Sequence, residues 1–181
     1  MLKLVATPQT VKEGHAMTIK VGDKLPDATF MIMTAGAPGK TTTADVFKGK
    51  KVALFAVPGA FTPTCQQQHV PGFVARVDEL KSKGIDTIAC TAVNDIFVLT
   101  QFAKDTGAAG KILMIADGNA EFAKKLGLDI DLSGFGLGLR SKRYAMLVDD
   151  GVVKVLNIED APPQHDKSSA ATLCSEIDDS F

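Results

Sequence analysis

Cys65 closes the run Pro58-Gly-Ala-Phe-Thr-Pro-Thr-Cys65, and His69 follows it by four residues. The run joins an apolar segment, Val52 to Val57 (VALFAV), to a segment with helical periodicity. Cys65 is therefore expected in or beside a first helical turn, where unpaired N–H groups point outward and the helix dipole favours an anion. Such a setting favours a thiolate, which is the nucleophilic form of sulfur. Pro58 and Pro63 restrict the loop ahead of it. The competing use of a free cysteine is as a small buried hydrophobe. Gln68 stands three residues after Cys65, so the pattern is not Cys-x-x-Cys. A dithiol that exchanges disulfides needs its second sulfur one turn away, so the chemistry on offer is that of a lone sulfur nucleophile. His69 lies on the same helix face. It can support a thiolate, pack, or pair with the sulfur on a metal. No third or fourth ligand is spaced nearby, so no metal is expected.

The other two cysteines read differently. Cys90 sits inside the apolar run Ile88 to Val93, a core position. Cys174 falls with Ala170, Leu173 and Ile177 at helical spacing, again an apolar face. Three cysteines in 181 residues argue against a disulfide scaffold and for a reducing, cytoplasmic setting. A net charge of −1 gives no general attraction to nucleic acid. No apolar stretch reaches the roughly 18 residues that suggest a membrane span. Residues 1–16 read as a flexible extension of unknown purpose. They carry Lys3 and Glu13 without an apolar h-region or an arginine, and Met17 looks like a second start. An organellar role for that segment stays open. Residues 17–181 read as one domain.

The elements that must position Cys65 alternate in type. Strands are expected at Ala28 to Met33, Val52 to Val57, Ile85 to Val93 and Ile112 to Ala116. A helix is expected from about Thr64 to Lys83, with Val70, Phe73, Val74 and Val77 on one face and a kink at Pro71. Asn94 or Asp95 caps a second helix ending near Gly107, and Glu121 to Leu126 forms a short third one. Leu132 to Lys142 reads as a glycine-rich loop. Tyr144 to Val148 and Val152 to Ile158 flank Asp150-Gly151, a strong hairpin signal. Ala161 to Lys167 reads as a surface loop, and Ser168 or Ser169 caps a last helix. The order implies a mixed α/β sheet with helices on both faces. Gly39-Lys40-Thr41 and Gly134-Phe-Gly136-Leu-Gly138 imitate nucleotide loops but lack the strand and helix such loops need, so no nucleotide or other cofactor is expected.

Pro58-Gly-Ala-Phe-Thr-Pro-Thr-Cys65 followed by His69-Val-Pro-Gly-Phe73 resembles the active-site signature of the peroxiredoxins. Val93-Asn-Asp95 and Arg143-Tyr-Ala-Met-Leu-Val-Asp-Asp-Gly151 resemble the type II, or peroxiredoxin-5-like, branch in order and spacing. The likeness runs from about Lys20 to Ile158, with a weaker continuation to Ile177. It implies a thioredoxin-like fold with a peroxiredoxin-type N-terminal addition. It also implies reduction of hydrogen peroxide and alkyl hydroperoxides through a cysteine sulfenic acid, as antioxidant defence, and a homodimer. The family's catalytic residues fall on Pro58, Thr62, Cys65 and Arg143; His69, from its own position, reads as a residue that supports them or packs. From its own surroundings Arg143, beside Arg140 and Lys142, reads only as part of a solvated basic face.

Ionising a thiol of ordinary pKa, about 8.5, gains only about tenfold near neutrality, so donors aimed at the breaking O–O bond must matter more. The oxidised sulfur must then be reset by another thiol. Where members of the family carry a resolving cysteine it precedes the last helix, and Lys167 and Ser168 stand there instead. A one-cysteine cycle reset by glutathione with glutaredoxin, or by thioredoxin, is therefore favoured. An internal Cys65–Cys174 bond is the second option. The competing function is a redox-sensing or holdase protein that uses Cys65 as a switch.

Overall fold

The structure is a computed structural model, and it describes residues 17–180, with the side chains of Asp178 to Ser180 excluded. The extension expected at residues 1–16 lies outside the described residues. The strands are β1 (Thr29–Thr34), β2 (Ala37–Thr42), β3 (Lys51–Ala56), β4 (Thr87–Ala92), β5 (Leu113–Ala116), β6 (Asp129–Asp131), β7 (Leu139–Ser141), β8 (Tyr144–Asp149) and β9 (Val152–Ile158). The helices are α1 (Thr43–Phe47), α2 (Val70–Ala75), α3 (Val77–Ser82), α4 (Ile96–Thr106), α5 (Glu121–Leu126) and α6 (Ala170–Ser180).

Seven strands form one sheet in the order β2-β1-β5-β4-β3-β8-β9. The central β3, β4 and β5 are parallel, while β1 and β8 join their edges antiparallel. β3 shows why the sheet is covered on both faces. Ala53, Phe55 and Val57 join the core beneath α2, α3, α4 and α6, whereas Val52, Leu54 and Ala56 join the core beneath α1 and α5. Alternate side chains point to opposite faces, so a continuous apolar run is what a strand buried on both sides requires. The fold is the mixed α/β, thioredoxin-like arrangement expected.

Three local expectations change and a fourth is sharpened. First, the helix from residue 64 to 83 is not continuous. It starts at Pro63 and passes through a π-helical turn, Cys65–His69, in which Val70 N–H donates to Cys65 O. This wide turn immediately precedes Pro71, which cannot donate and whose ring crowds the preceding turn. The sharper break comes at Arg76 (φ −112°, ψ 14°), which separates α2 from α3. Second, β2 and α1 stand where the sequence carries no clear strand or helix signal. Gly39-Lys40-Thr41 lies within β2, an exposed edge strand. Third, Leu132 to Lys142 is not all loop: Leu139–Ser141 pairs with Asp129–Asp131 as a two-stranded ribbon. Fourth, of the two serines offered as a cap for α6, Ser169 does it, its hydroxyl accepting from Thr172 N. The hairpin at Asp150-Gly151 is as expected. Both residues have positive φ, 47° and 78°, the geometry that a two-residue turn between twisted strands demands.

Candidate active site

The site stands at the C-terminal end of β3, where the chain leaves the sheet through Val57, Pro58 and Gly59 and re-enters a helix at Pro63. Proline suits a first helical position because its missing N–H would have no partner there. The first intrahelical bond is Gln66 N–H to Thr62 O at 3.0 Å. Cys65 therefore lies in the first turn, where amides have no carbonyl one turn back to pair with. The loop ahead of it is pinned. Ala60 N–H donates to Asn94 Oδ1 at 3.0 Å, and Phe61, with φ of 63°, is held edge-on against Phe102. A left-handed phenylalanine is costly backbone, kept only where neighbours fix it.

Cys65 is fully buried, and Arg143 Nη2 donates to its sulfur at 3.0 Å. Arg143 begins the chain into β8, one strand across from β3. Its Nη1 lies 2.9 Å from His69 Nδ1, and its Nε donates to Pro162 O at 3.0 Å. His69 Nε2 lies 2.9 Å from Ser168 O. A carbonyl only accepts and a guanidinium only donates, so the imidazole carries its proton on Nε2 and accepts at Nδ1. Burial above all, then the Arg143 charge and His165, hold the His69 pKa well below its ordinary value, while Ser168 pulls it back up. The ring is caged by Phe55 and Phe73, which are stacked on each other with centroids 4.0 Å apart.

The electrostatic consequence is specific. Arg143 is 2% exposed, and its partners are a neutral imidazole, a carbonyl and a sulfur. Among the described residues no carboxylate pairs with it. Burying a guanidinium without a counter-ion costs several kcal/mol. A thiolate on Cys65, or an oxyanion forming beside it, is the anion this arrangement can accept.

Thr62 is half-buried and does not touch Cys65 through a hydrogen bond. Its hydroxyl donates to Gly59 O at 2.8 Å. With its proton committed there, Thr62 Oγ1 can only accept from a further donor. Pro58 is buried at the strand end. The structure thus brings Cys65, His69 and Arg143 into one bonded chain and places Pro58 and Thr62 on the loop leading into it.

Cys174 is not brought to the site. It faces α3, where Lys83 Nζ donates to its carbonyl at 3.0 Å, and its thiol pKa is raised by burial and Glu79 against the pull of Arg76 and Lys83. Arg76 is eleven residues beyond Cys65. At about 1.5 Å per residue this is about 16 Å along the segment that Cys65 opens, whereas a disulfide needs Cα atoms within about 7 Å; all three cysteines are free thiols. Cys90 is buried in β4, and burial drives its thiol pKa far upward.

Several residues of the site had no sequence signal. His165 packs edge-on against His69, centroids 4.9 Å apart, from the segment read as a surface loop. Burial and Arg143 lower its pKa, partly offset by Glu159 and Asp166. Glu159 Oε1 accepts from Ser168 N and Oγ at 2.7 and 2.9 Å, which fixes the carbonyl that His69 uses. Arg140, read as a solvated neighbour of Arg143, lies over Gly59. Asn94 could have been picked out, since it stands in a motif already singled out beside Asp95.

Among the described residues no helix is long and apolar enough to cross a membrane. The Redoxin family model matches residues 20–174. Peroxiredoxin-2E, chloroplastic, of Arabidopsis thaliana is 54% identical over 147 residues, covering 79% of this chain and 63% of that one. The chain thus spans less than two thirds of that relative. Peroxiredoxin-2B of the same plant is 46% identical, covering 78% of this chain and 88% of that protein. The crystal structure of reduced Prx3 in complex with hydrogen peroxide from Vibrio vulnificus is 48% identical, with a TM-score of 0.84 over 88% of this chain and 99% of that one. A fold shared at this level, with the sulfur, imidazole and guanidinium joined as the motifs imply, places the chain in the peroxiredoxin family, in its type II branch.

Proposed function

We propose that the protein is a thiol peroxidase that reduces hydrogen peroxide and alkyl hydroperoxides at Cys65. The observation that carries this reading is the Arg143 guanidinium, buried without a carboxylate and donating to the Cys65 sulfur. The Cys65 thiolate attacks the terminal oxygen of R–O–O–H. The O–O bond breaks, sulfur is oxidised to sulfenic acid, and RO⁻ leaves to take up a proton as ROH. Arg143 stays close as negative charge passes from sulfur to oxygen, which is where a fixed cation acts. Thr62 Oγ1, able only to accept, takes the hydrogen bond of the peroxide O–H and so presents that oxygen to sulfur. Pro58 shields the sulfur from water. His69, neutral and locked by Ser168, holds Arg143 in place.

The separation of Cys174 from Cys65 supports a one-cysteine cycle. An external thiol condenses with the sulfenic acid, releasing water and leaving a mixed disulfide, and a second thiol restores Cys65. Glutathione with glutaredoxin, or thioredoxin, supplies those thiols. A homodimer is part of the proposal, supported by the exposed rings of Phe61, Phe97 and Phe135. The names of relatives, chloroplastic and mitochondrial, support an organelle as the compartment in place of the cytoplasm. The deciding experiment follows peroxide consumption with glutathione and glutaredoxin. Cys65→Ser should abolish turnover while the circular dichroism spectrum is kept. Full turnover by that variant would refute the assignment.

A further inference from the structure

We infer that Arg140 is a positioning residue for the peroxide-binding loop and acts through Thr62. This rests on the peroxidase reading. Arg140 precedes Arg143 by three residues and is the middle residue of β7. Its Nε donates to Leu137 O at 2.8 Å, which fixes the guanidinium to its own ribbon. Its Nη1 reaches Pro58 O at 3.4 Å, a long contact. The closer relationship is with Gly59. A Cβ built on Gly59 would stand 2.8 Å from Arg140 Nη1 and 3.3 Å from Thr62 Cγ2. The guanidinium and the Thr62 methyl therefore both close over the face of Gly59 where a side chain would stand. A side chain at residue 59 would force them apart.

This closure has a chemical consequence. Gly59 O is the acceptor that fixes the Thr62 hydroxyl, at 2.8 Å, and it also lies 3.4 Å from Thr62 N. If Gly59 shifts, that carbonyl turns and the Thr62 proton is released. Thr62 Oγ1 then no longer presents a lone pair at one fixed place. Arg140 thus sets the direction in which Thr62 accepts, without itself joining the chain of Cys65, His69 and Arg143. Displacements of about 1 Å in such a group can cost about a hundredfold in rate.

Two rate constants separate this role from a general one. Oxidation of Cys65 by hydrogen peroxide, read by rapid quench and intact mass, needs Thr62. Alkylation of Cys65 by iodoacetamide needs only an accessible thiolate. Arg140→Met should lower the peroxide rate by about tenfold or more and leave alkylation within about twofold of the parent. In a Thr62→Val background the same Arg140→Met change should cost less than about twofold more, because residues acting as one unit are not additive. Arg140→Lys, which keeps a donor on that side, should recover part of the peroxide rate, and it serves as the test variant if Arg140→Met does not fold. A peroxide rate in Arg140→Met equal to the parent would overturn the inference. So would equal losses in both backgrounds, or a parallel fall in alkylation. If the parent itself fails to react with peroxide, it is the peroxidase reading that falls.

Discussion

Arg143 Nη2 lies 3.0 Å from Cys65 Sγ while Nη1 of the same guanidinium lies 2.9 Å from His69 Nδ1. One planar group therefore serves the sulfur and the imidazole at once. Lysine keeps the charge but has no such fork. Arg143→Lys should reduce kcat/KM for hydrogen peroxide by about a hundredfold, the scale seen when one preorganised donor is removed from a reacting centre. Steady-state peroxide consumption checks this. Activity within a factor of three of the parent would show that charge alone suffices.

His69 and pH are linked through folding. Its pKa in the folded chain lies well below its ordinary value, chiefly from burial and then from Arg143. At high pH the imidazole is neutral in both states, and its contribution is constant. As pH falls through about 6.5, the unfolded chain takes up the proton first. Stability should then decline with falling pH until the folded pKa is passed, where the slope vanishes. Urea unfolding between pH 7.5 and 5, compared for the parent and His69→Asn, should show a steeper loss in the parent. His165, also depressed, contributes to both curves and so does not generate the difference. Equal slopes would show that His69 is not buried as a neutral ring.

Cys174 and Cys90 offer a test of the reset. Cys174 lies against α3, and Cys90 lies within β4, buried close enough to feel the charges of Cys65 and Arg143 but with no hydrogen bond to either. Cys174→Ala and Cys90→Ala should each keep peroxide turnover within about twofold when an external thiol is supplied, since neither group is asked to form a bond. Intact mass after one equivalent of peroxide should show a gain of one oxygen at Cys65. A loss of two hydrogens that disappears in Cys174→Ala would establish the internal disulfide instead.

The parts legible in the sequence were those fixed by local physics. VALFAV reads as a strand buried on both faces because it must be apolar throughout. Asp150-Gly151 reads as a hairpin because both residues tolerate positive φ. Cys65 and His69 read as a pair because four residues on a helix bring them to one face. β2 leaves no trace in the sequence because Ala37-Pro-Gly-Lys-Thr-Thr42 is an exposed edge without alternation. The break at Arg76 has no proline or glycine at that position to mark it. The contacts that complete the site were invisible for a different reason. Arg143 is 74 residues from His69, Ser168 is 99 from it, and the segment Ala161 to Lys167 has the composition of any surface loop. Only the family resemblance lifted Arg143 out of its basic cluster, and nothing lifted Arg140 or His165.

Glu159 provides a final, sharper test of how the site is held. Its Oε1 accepts from both the amide and the hydroxyl of Ser168, and both residues are buried. Ser168 O in turn receives His69 Nε2. Ser168→Ala removes one of the two bonds but leaves the amide pinned and the carbonyl in place. It should cost about 1 kcal/mol of stability and leave peroxide turnover close to that of the parent. Glu159→Ala removes the acceptor for both donors and leaves a buried amide and hydroxyl unsatisfied, at about 1–3 kcal/mol for each group. The Ser168 carbonyl is then no longer fixed, His69 loses its orientation, and Arg143 loses the imidazole that steadies it. Turnover should therefore fall by tenfold or more in Glu159→Ala, roughly the effect of losing an outer support of a reacting group, and the midpoint of urea unfolding should fall further than in Ser168→Ala. Equal activity in the two variants would mean that Arg143 is held on Cys65 by Pro162 alone.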